Sequence, residues 1–150
     1  MQPNYIRDRK GETKFEAEFT ISARSMGHVY RKIKDRIYTK RSPKNQACDP
    51  YIDPRKDFDG YFCVKNGKTW LLEFKYNDGP TQKHQYEAAD IINQVNDSHR
   101  FVRRTIQENL DKKGSIEIMH YVYRYVNGKK TKLAEFGKSV DEMIKWFEEQ

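Results

Sequence analysis

The amino-acid sequence predicts an α/β (α+β) domain, a mixed β-sheet core flanked by helices. Three observations lead there. Apolar residues near the N-terminus recur at helical spacing, two Asn-Gly pairs each join runs of strand character, and the chain closes on an amphipathic segment. At 150 residues the chain fits one domain, large enough to bury a core. The predicted element order is α-β-β-α-β-β-α.

Residues 12–39 are expected to form one long helix or two broken ones. Phe15, Phe19, Ser22, Met26, Tyr30, Ile33 and Ile37 recur at steps of three and four and build one face. Phe15, Ala17, Phe19 and Ile21 also alternate as a strand would, but the helical register runs longer. Residues 40–56, with Pro43, Pro50 and Pro54, read as a loop. Residues 57–76 read as a β-hairpin, "GYFCV" meeting "TWLLEF" across Asn66-Gly67. Residues 81–95 look helical with Thr81 as N-cap, and 99–112 resume that pattern after "NDS". "SIEIMHYVYRYV" is a strand with apolar residues on both faces, as a central strand has. Asn127-Gly128 turns it into the short strand "TKLAEF", and Val140, Met143, Ile144 and Phe147 share one side of a last helix.

Lys and Arg total 29 against 22 Asp and Glu, a net charge of +7 that favours a polyanionic partner, nucleic acid first. Aromatics at 13% argue against disorder. Cys48 and Cys63 fit no metal spacing and are expected to be reduced thiols in a cytoplasmic protein. No apolar stretch resembles a signal peptide or a membrane span, so no membrane partner is expected.

The hairpin carries an unusual load of charge: Asp57 and Asp59 before it, Glu73 and Lys75 on its second strand. Residues two apart on a strand share a face. A two-residue Asn66-Gly67 turn would set Gly60 opposite Glu73 and send the aspartates to the far face. A three-residue loop of Lys65, Asn66 and Gly67, with Gly67 left-handed, sets Asp59 opposite Glu73 and Asp57 opposite Lys75. Facing carboxylates repel unless a cation lies between them, and a hard ion such as Mg²⁺ takes oxygen ligands. A water oriented by Lys75 would then attack a phosphodiester.

These residues resemble the PD-(D/E)XK nuclease superfamily, with "EFK" (Glu73-Phe74-Lys75) as its E-x-K element after an upstream acid. The nearer likeness is to RecU-type Holliday junction resolvases and similar phage nucleases: "DFDG" before the hairpin, a Gly at its tip, His84-Gln85 on the next helix, and Phe15-Glu16 on the first. The resemblance covers roughly residues 11–95 and implies a restriction-endonuclease-like fold in a bacterial or phage-infected cell. It implies a metal-dependent DNA endonuclease, acting on branched DNA and working as a homodimer. Asp59 or Asp57 with Glu73, and the Phe74 carbonyl, would hold Mg²⁺ or Mn²⁺. Lys75 would position the water, and Glu16 and Gln85 would complete the site. The family's literal Pro-Asp is absent, since Pro54 stands three residues before Asp57. The motif likeness points to Asp57 and the hairpin geometry to Asp59, so both stand.

Two basic clusters are candidates for phosphate contact: Arg31, Lys34, Lys40 and Arg41, and Arg100, Arg103 and Arg104. The aromatic run "HYVYRYV" suits core packing better than base stacking, and His120 within it suits a hydrogen-bonded core position. The rival readings are a basic nucleic-acid-binding module without catalysis, a protein-interaction module such as a phage-encoded inhibitor, and an RNA or exonucleolytic variant of the same chemistry.

Overall fold

A computed structural model describes residues 9–33, 53–109, 111 and 113–150. Six strands form one mixed sheet in the order β1-β2-β3-β4-β5-β6. The elements run α1 (Arg9–Ser25), β1 (Val29–Lys32), a 3₁₀ turn (Pro54–Asp57), β2 (Gly60–Cys63), β3 (Thr69–Tyr76), α2 (Lys83–Asn93), β4 (His99–Asn109), β5 (Ser115–Val126), β6 (Lys129–Phe136) and α3 (Val140–Glu148). The pair β3–β4 is parallel, with α2 as its crossover, and all other pairs are antiparallel.

The α+β class is as the sequence predicts, but two expected helical stretches are strands. The first helix stops at Ser25 instead of running toward residue 39. Its end is a Schellman motif. Gly27, left-handed at φ +89°, donates its N–H to Arg24 O, and His28 N–H reaches back to Ala23 O at 2.9 Å. The chain then reverses into β1 against β2, with Tyr30 opposite Phe62. Residues 34–39 of the expected helix, and most of the loop expected at 40–56, lie outside the described residues.

The second correction is β4, expected to be helical over 99–112. His99, Phe101 and Arg103 alternate with Arg100, Val102 and Arg104, and the strand fills the place beside β3. A third, smaller correction concerns α2. Its N-cap is Gln82, while the Thr81 hydroxyl lies 2.7 Å from that of Tyr125.

The β2–β3 connection is the three-residue loop. Val64 N–H donates to Lys68 O, Gly67 N–H to Val64 O, and Gly67 stands at φ +95°. Gly60 therefore pairs with Leu72, one residue short of Asp59 and Glu73. At the tip of this hairpin His28 Nδ1 accepts the Lys65 N–H, and its Nε2 binds Glu148 at 2.7 Å, tying the turn to α3.

Two cores lie on opposite faces of the sheet. On one, α1 and α3 bring Phe15, Phe19, Ala23, Met143, Ile144 and Phe147 against Phe62, Trp70, Leu72, Phe74, Val102 and Val122. On the other, α2 lays Ala88, Ala89 and Ile92 over Leu71, Phe101 and Tyr125, with Phe58 beside them. β5 lies between β4 and β6, yet only His120, Val122 and Tyr125 along it are buried. Its expected two-sided burial holds for its second half alone.

Candidate active site

Alternation along β3 sends Trp70, Leu72 and Phe74 into the α1–α3 core and leaves Leu71, Glu73 and Lys75 for the α2 face. Glu73 is 2% exposed and Lys75 5%, so two opposite charges are buried one strand period apart. Gln85, in the first turn of α2, joins them. Its Oε1 accepts from Lys75 Nζ at 2.6 Å and from the Gln82 N–H at 3.0 Å. Its Nε2 donates to Glu73 Oε1 at 2.9 Å. The amide is thus oriented by its neighbours, oxygen toward the donors and nitrogen toward the carboxylate. Lys75 Nζ also donates to Pro80 O at 3.1 Å and lies 3.8 Å from Glu73 Oε1. Buried charges on such a network are compensated, as burial requires.

Asp59 stands immediately before β2 begins. Its N–H still reaches Leu72 O, and its Oδ2 accepts the Phe74 N–H at 2.7 Å, taking the position of a strand carbonyl. The aspartate side chain therefore lies alongside β3 next to Glu73. Within one strand residue the N–H and C=O point to the same side, so the Phe74 carbonyl also faces the Asp59 side.

Glu16 arrives from α1 on the other face. Its Oε2 accepts the Tyr30 hydroxyl at 2.5 Å, and its Oε1 lies 3.4 Å from Lys32 Nζ. Tyr30 lies in the α1–α3 core, near enough to Asp59 and Glu73 to feel their charges. Its ring passes over Gly60, where an added Cβ would lie 2.4 Å from the phenol. Burial first, then the charge and hydrogen bond of Glu16, then the charges of Asp59 and Glu73, hold this phenol protonated far above its usual range. Three carboxylates thus act on one hydroxyl, a concentration of negative potential at the mouth of β2 and β3.

Asp57 is corrected. It does not face Lys75; it closes the 3₁₀ turn, buried, with Oδ1 2.9 Å from His84 Nδ1. His84 Nε2 in turn lies 2.7 Å from Gln82 Oε1. The pair clamps the turn to the start of α2, next to Gln85, so of the "HQ" that the resemblance highlights His84 serves the clamp and Gln85 the charged network.

The basic clusters divide as well. Arg31 is exposed on β1, and Lys34, Lys40 and Arg41 lie outside the described residues. Arg100 and Arg104 are each 6% exposed and are corrected from phosphate ligands to packing residues. Arg100 lies 4.4 Å over the Trp70 ring and binds Asp97 at 2.7 Å. Arg104 lies over Phe15, binds Glu18, and donates to His120 Nε2 at 3.0 Å. His120, fully buried, also lies 2.8 Å from Gly137 O through Nδ1. Arg103 is half-buried, donates to Asn77 O at 2.5 Å and opposes Lys75 across the β3–β4 ladder.

The donors here fit a hard divalent ion: Asp59, Glu73 and the Phe74 carbonyl are all oxygen, with Glu16 behind Tyr30. Among the described residues, no three of His, Cys, Asp and Glu converge into a ready-made cage. Two carboxylates and a carbonyl suit an ion of the Mg²⁺ type, which keeps several of its waters.

Sequence reasoning missed Tyr30, taken as part of a helical stripe, and the neighbouring place of Arg103. The available signal for Tyr30 was Gly27, a helix stop four residues after Ala23. Among the described residues, no helix is long and apolar enough to cross a membrane. No protein-family model, curated protein or solved structure matches the chain.

Proposed function

We propose that the protein is a Mg²⁺- or Mn²⁺-dependent endonuclease that hydrolyses phosphodiester bonds in DNA. The observation that carries this reading is the buried Glu73–Gln85–Lys75 network with the Asp59 carboxylate on the adjacent backbone. Buried charges cost stability relative to apolar residues of similar size, so a cluster of this kind calls for a use. Lys75, held by Gln85 and Pro80 O, presents an ammonium that orients an attacking water and offsets charge growing on the phosphate. Asp59, Glu73 and the Phe74 carbonyl would hold the divalent ion, which supplies Lewis-acid polarisation and a more acidic water. Gln85 sets the distance between Lys75 and Glu73. Tyr30, protonated, donates to Glu16 and fixes its position.

The net charge of +7 suits a polyanionic substrate. The sequence resemblance to PD-(D/E)XK resolvases makes branched DNA the first substrate to test, with paired cuts made by a homodimer in the cytoplasm of a bacterial or phage-infected cell. The test is a panel of labelled linear, nicked, branched and single-stranded substrates with Mg²⁺ or Mn²⁺. Wild type cuts at least one of them, and Lys75→Ala is slower by about 100-fold or more. Equal rates for the two proteins overturn the assignment.

A second reading draws on the same network, because its hydrogen bonds are those of a satisfied structural cluster: a basic nucleic-acid-binding module without catalysis. Thermal melts with Ca²⁺ separate the two. The nuclease gains stability with Ca²⁺ and loses that gain in the Asp59→Ala/Glu73→Ala variant, whereas the binding module shows no gain in either.

A further inference from the structure

The face that carries Glu73 and Lys75 continues beyond α2. Cross-strand register lays two rows across it. One runs Lys75, Arg103, Tyr121 and Glu135; the other runs Glu73, Phe101, Tyr123 and Lys132. Strands are spaced by about 4.8 Å, so Tyr121 and Tyr123 stand roughly 10 Å from the β3 backbone at the charged pair. α2 covers only part of this surface, where Phe101 and Tyr125 are buried. Tyr121 belongs to neither core, and Tyr123 packs only against the margin of one. Core packing, the expectation for this aromatic run, therefore does not account for them.

The two rings lie nearly parallel, centroids 6.0 Å apart and planes at 25°. Lys130 Nζ sits 4.6 Å from the Tyr123 ring centre and Lys132 Nζ 5.8 Å from that of Tyr121. Arg103 completes the basic set beside them. Of the acids near these rows, Glu73 is held by Gln85 and Lys75, Asp78 acts on Arg103, whose Nη1 donates to Asn77 O at 2.5 Å, Glu135 is ion-paired with Lys132 at 3.0 Å, and Glu117 lies farther along β5.

We propose that this platform binds an unpaired polynucleotide strand, its bases stacked on Tyr121 and Tyr123 and its phosphates met by Arg103, Lys130 and Lys132. The chemistry selects this occupant. Aromatic faces interleaved with cations match a chain of bases joined by phosphates, and every base has a π-face to offer. A duplex keeps those faces stacked internally and gains only the phosphate contacts. The platform deepens the nuclease reading and rests on it for direction: Arg103, at its margin, opposes Lys75, so the bound strand leads to the charged network.

The test is fluorescence anisotropy in EDTA, which reads binding without cleavage. The probes are oligothymidylate and oligouridylate of about 15 nucleotides and a duplex of the same length. Wild type binds a single strand more tightly than the duplex. Tyr121→Ala with Tyr123→Ala weakens the single strand by roughly 10- to 100-fold and the duplex little. Tyr121→Phe with Tyr123→Phe retains binding, because the ring does the stacking. Lys132→Ala makes the salt dependence shallower by about one unit of slope. Should the alanine pair melt early, Tyr121→Leu with Tyr123→Leu keeps bulk and carries the same expectation. Tighter binding of oligouridylate assigns the strand as RNA. Duplex binding as tight as single-strand binding, or a folded tyrosine variant that binds like wild type, overturns the proposal. Lys75→Ala cutting at the wild-type rate would end the nuclease reading and leave these binding results standing.

Discussion

Along β3 a single backbone faces two unlike interiors. Trp70, Leu72 and Phe74 enter a core of rings, where Phe74 meets Phe15 at 5.0 Å, Phe19 at 5.4 Å and Tyr30 at 5.4 Å, all edge-on. Leu71, Glu73 and Lys75 enter the α2 side, equally buried, but two of the three carry charge. Packing alone explains the first set. Aromatic edges against faces add to the area they bury, and no polar atom of these side chains asks for water except the Trp70 indole N–H, which is buried without a partner. The second set does not follow from packing. Apolar residues there would fold as well or better, so the charges mark a place where stability has been exchanged for chemistry.

Substitutions on either face test this difference. Phe74→Ala removes a ring that is 1% exposed and should cost about 3–5 kcal/mol, read as a lower denaturation midpoint in urea. A loss below about 1 kcal/mol would mean that the aromatic face is not tightly packed. Lys75→Met leaves Glu73 buried beside Gln85 without its cation and should cost about 3 kcal/mol. Adding Glu73→Leu should restore most of that loss, while cleavage stays absent. If the double variant is no more stable than the single one, the charged side is a structural necessity, and the contrast between the two faces fails.

A pH experiment sharpens the contrast on the α2 side, where His99 lies buried at the start of β4. Burial first, then the Arg100 charge, lowers its pKa to about 4. Geometry demands the same, since the Tyr125 N–H donates to His99 Nε2 at 3.0 Å and a protonated ring could not accept it. In the unfolded chain His99 takes its proton near 6.5; in the folded chain it resists until about 4. Its stabilising contribution is therefore complete above pH 6.5 and lost as pH falls toward 4, up to about 3 kcal/mol in all. Urea titrations at stepped pH should show this decline in wild type and a flatter one in His99→Gln. Matching slopes for the two proteins would assign the acid sensitivity to carboxylates instead.

The smallest effect expected is at Gly60, where the two faces meet. Gly60→Ala places a Cβ 2.4 Å from the Tyr30 phenol and 2.6 Å from the Arg31 carbonyl. Tyr30 and the β1 backbone at Arg31 must both shift, at about 1–3 kcal/mol, and Glu16 loses its hydroxyl donor. The expected result is a modest fall in melting temperature with a larger fall in cleavage. A fall in stability alone would remove Tyr30 and Glu16 from the functional account.

Much of the candidate site was legible because its rules are local. Glu73 and Lys75 share a face by strand alternation, the left-handed Gly67 is what a bulged hairpin loop needs, and Gln85 falls in the first turn of the next helix. Asp59 and Asp57 could not be separated that way. Their fates depend on where β2 starts, and that is decided by Gly60 lying under Tyr30 and by the distant His84 that engages Asp57. The arginines of β4 were misread for a related reason. "HRFVRR" is charged along its length, so its periodicity is ambiguous, and the rings that receive Arg100 and Arg104 lie far away in the chain at Trp70 and Phe15.

By itself, then, the sequence determined the α+β class, the two Asn-Gly hairpins and the amphipathic last helix, because each rests on interactions within a few residues. Only the tertiary structure decided that residues 29–32 and 99–109 are strands, that Asp59 sits beside Glu73 while Asp57 serves as a clamp, and that Tyr121 and Tyr123 stay half-buried outside the two cores. Strand pairing and burial are contracts between distant segments, and the partner that settles each one is not present in the local window where the residue is read.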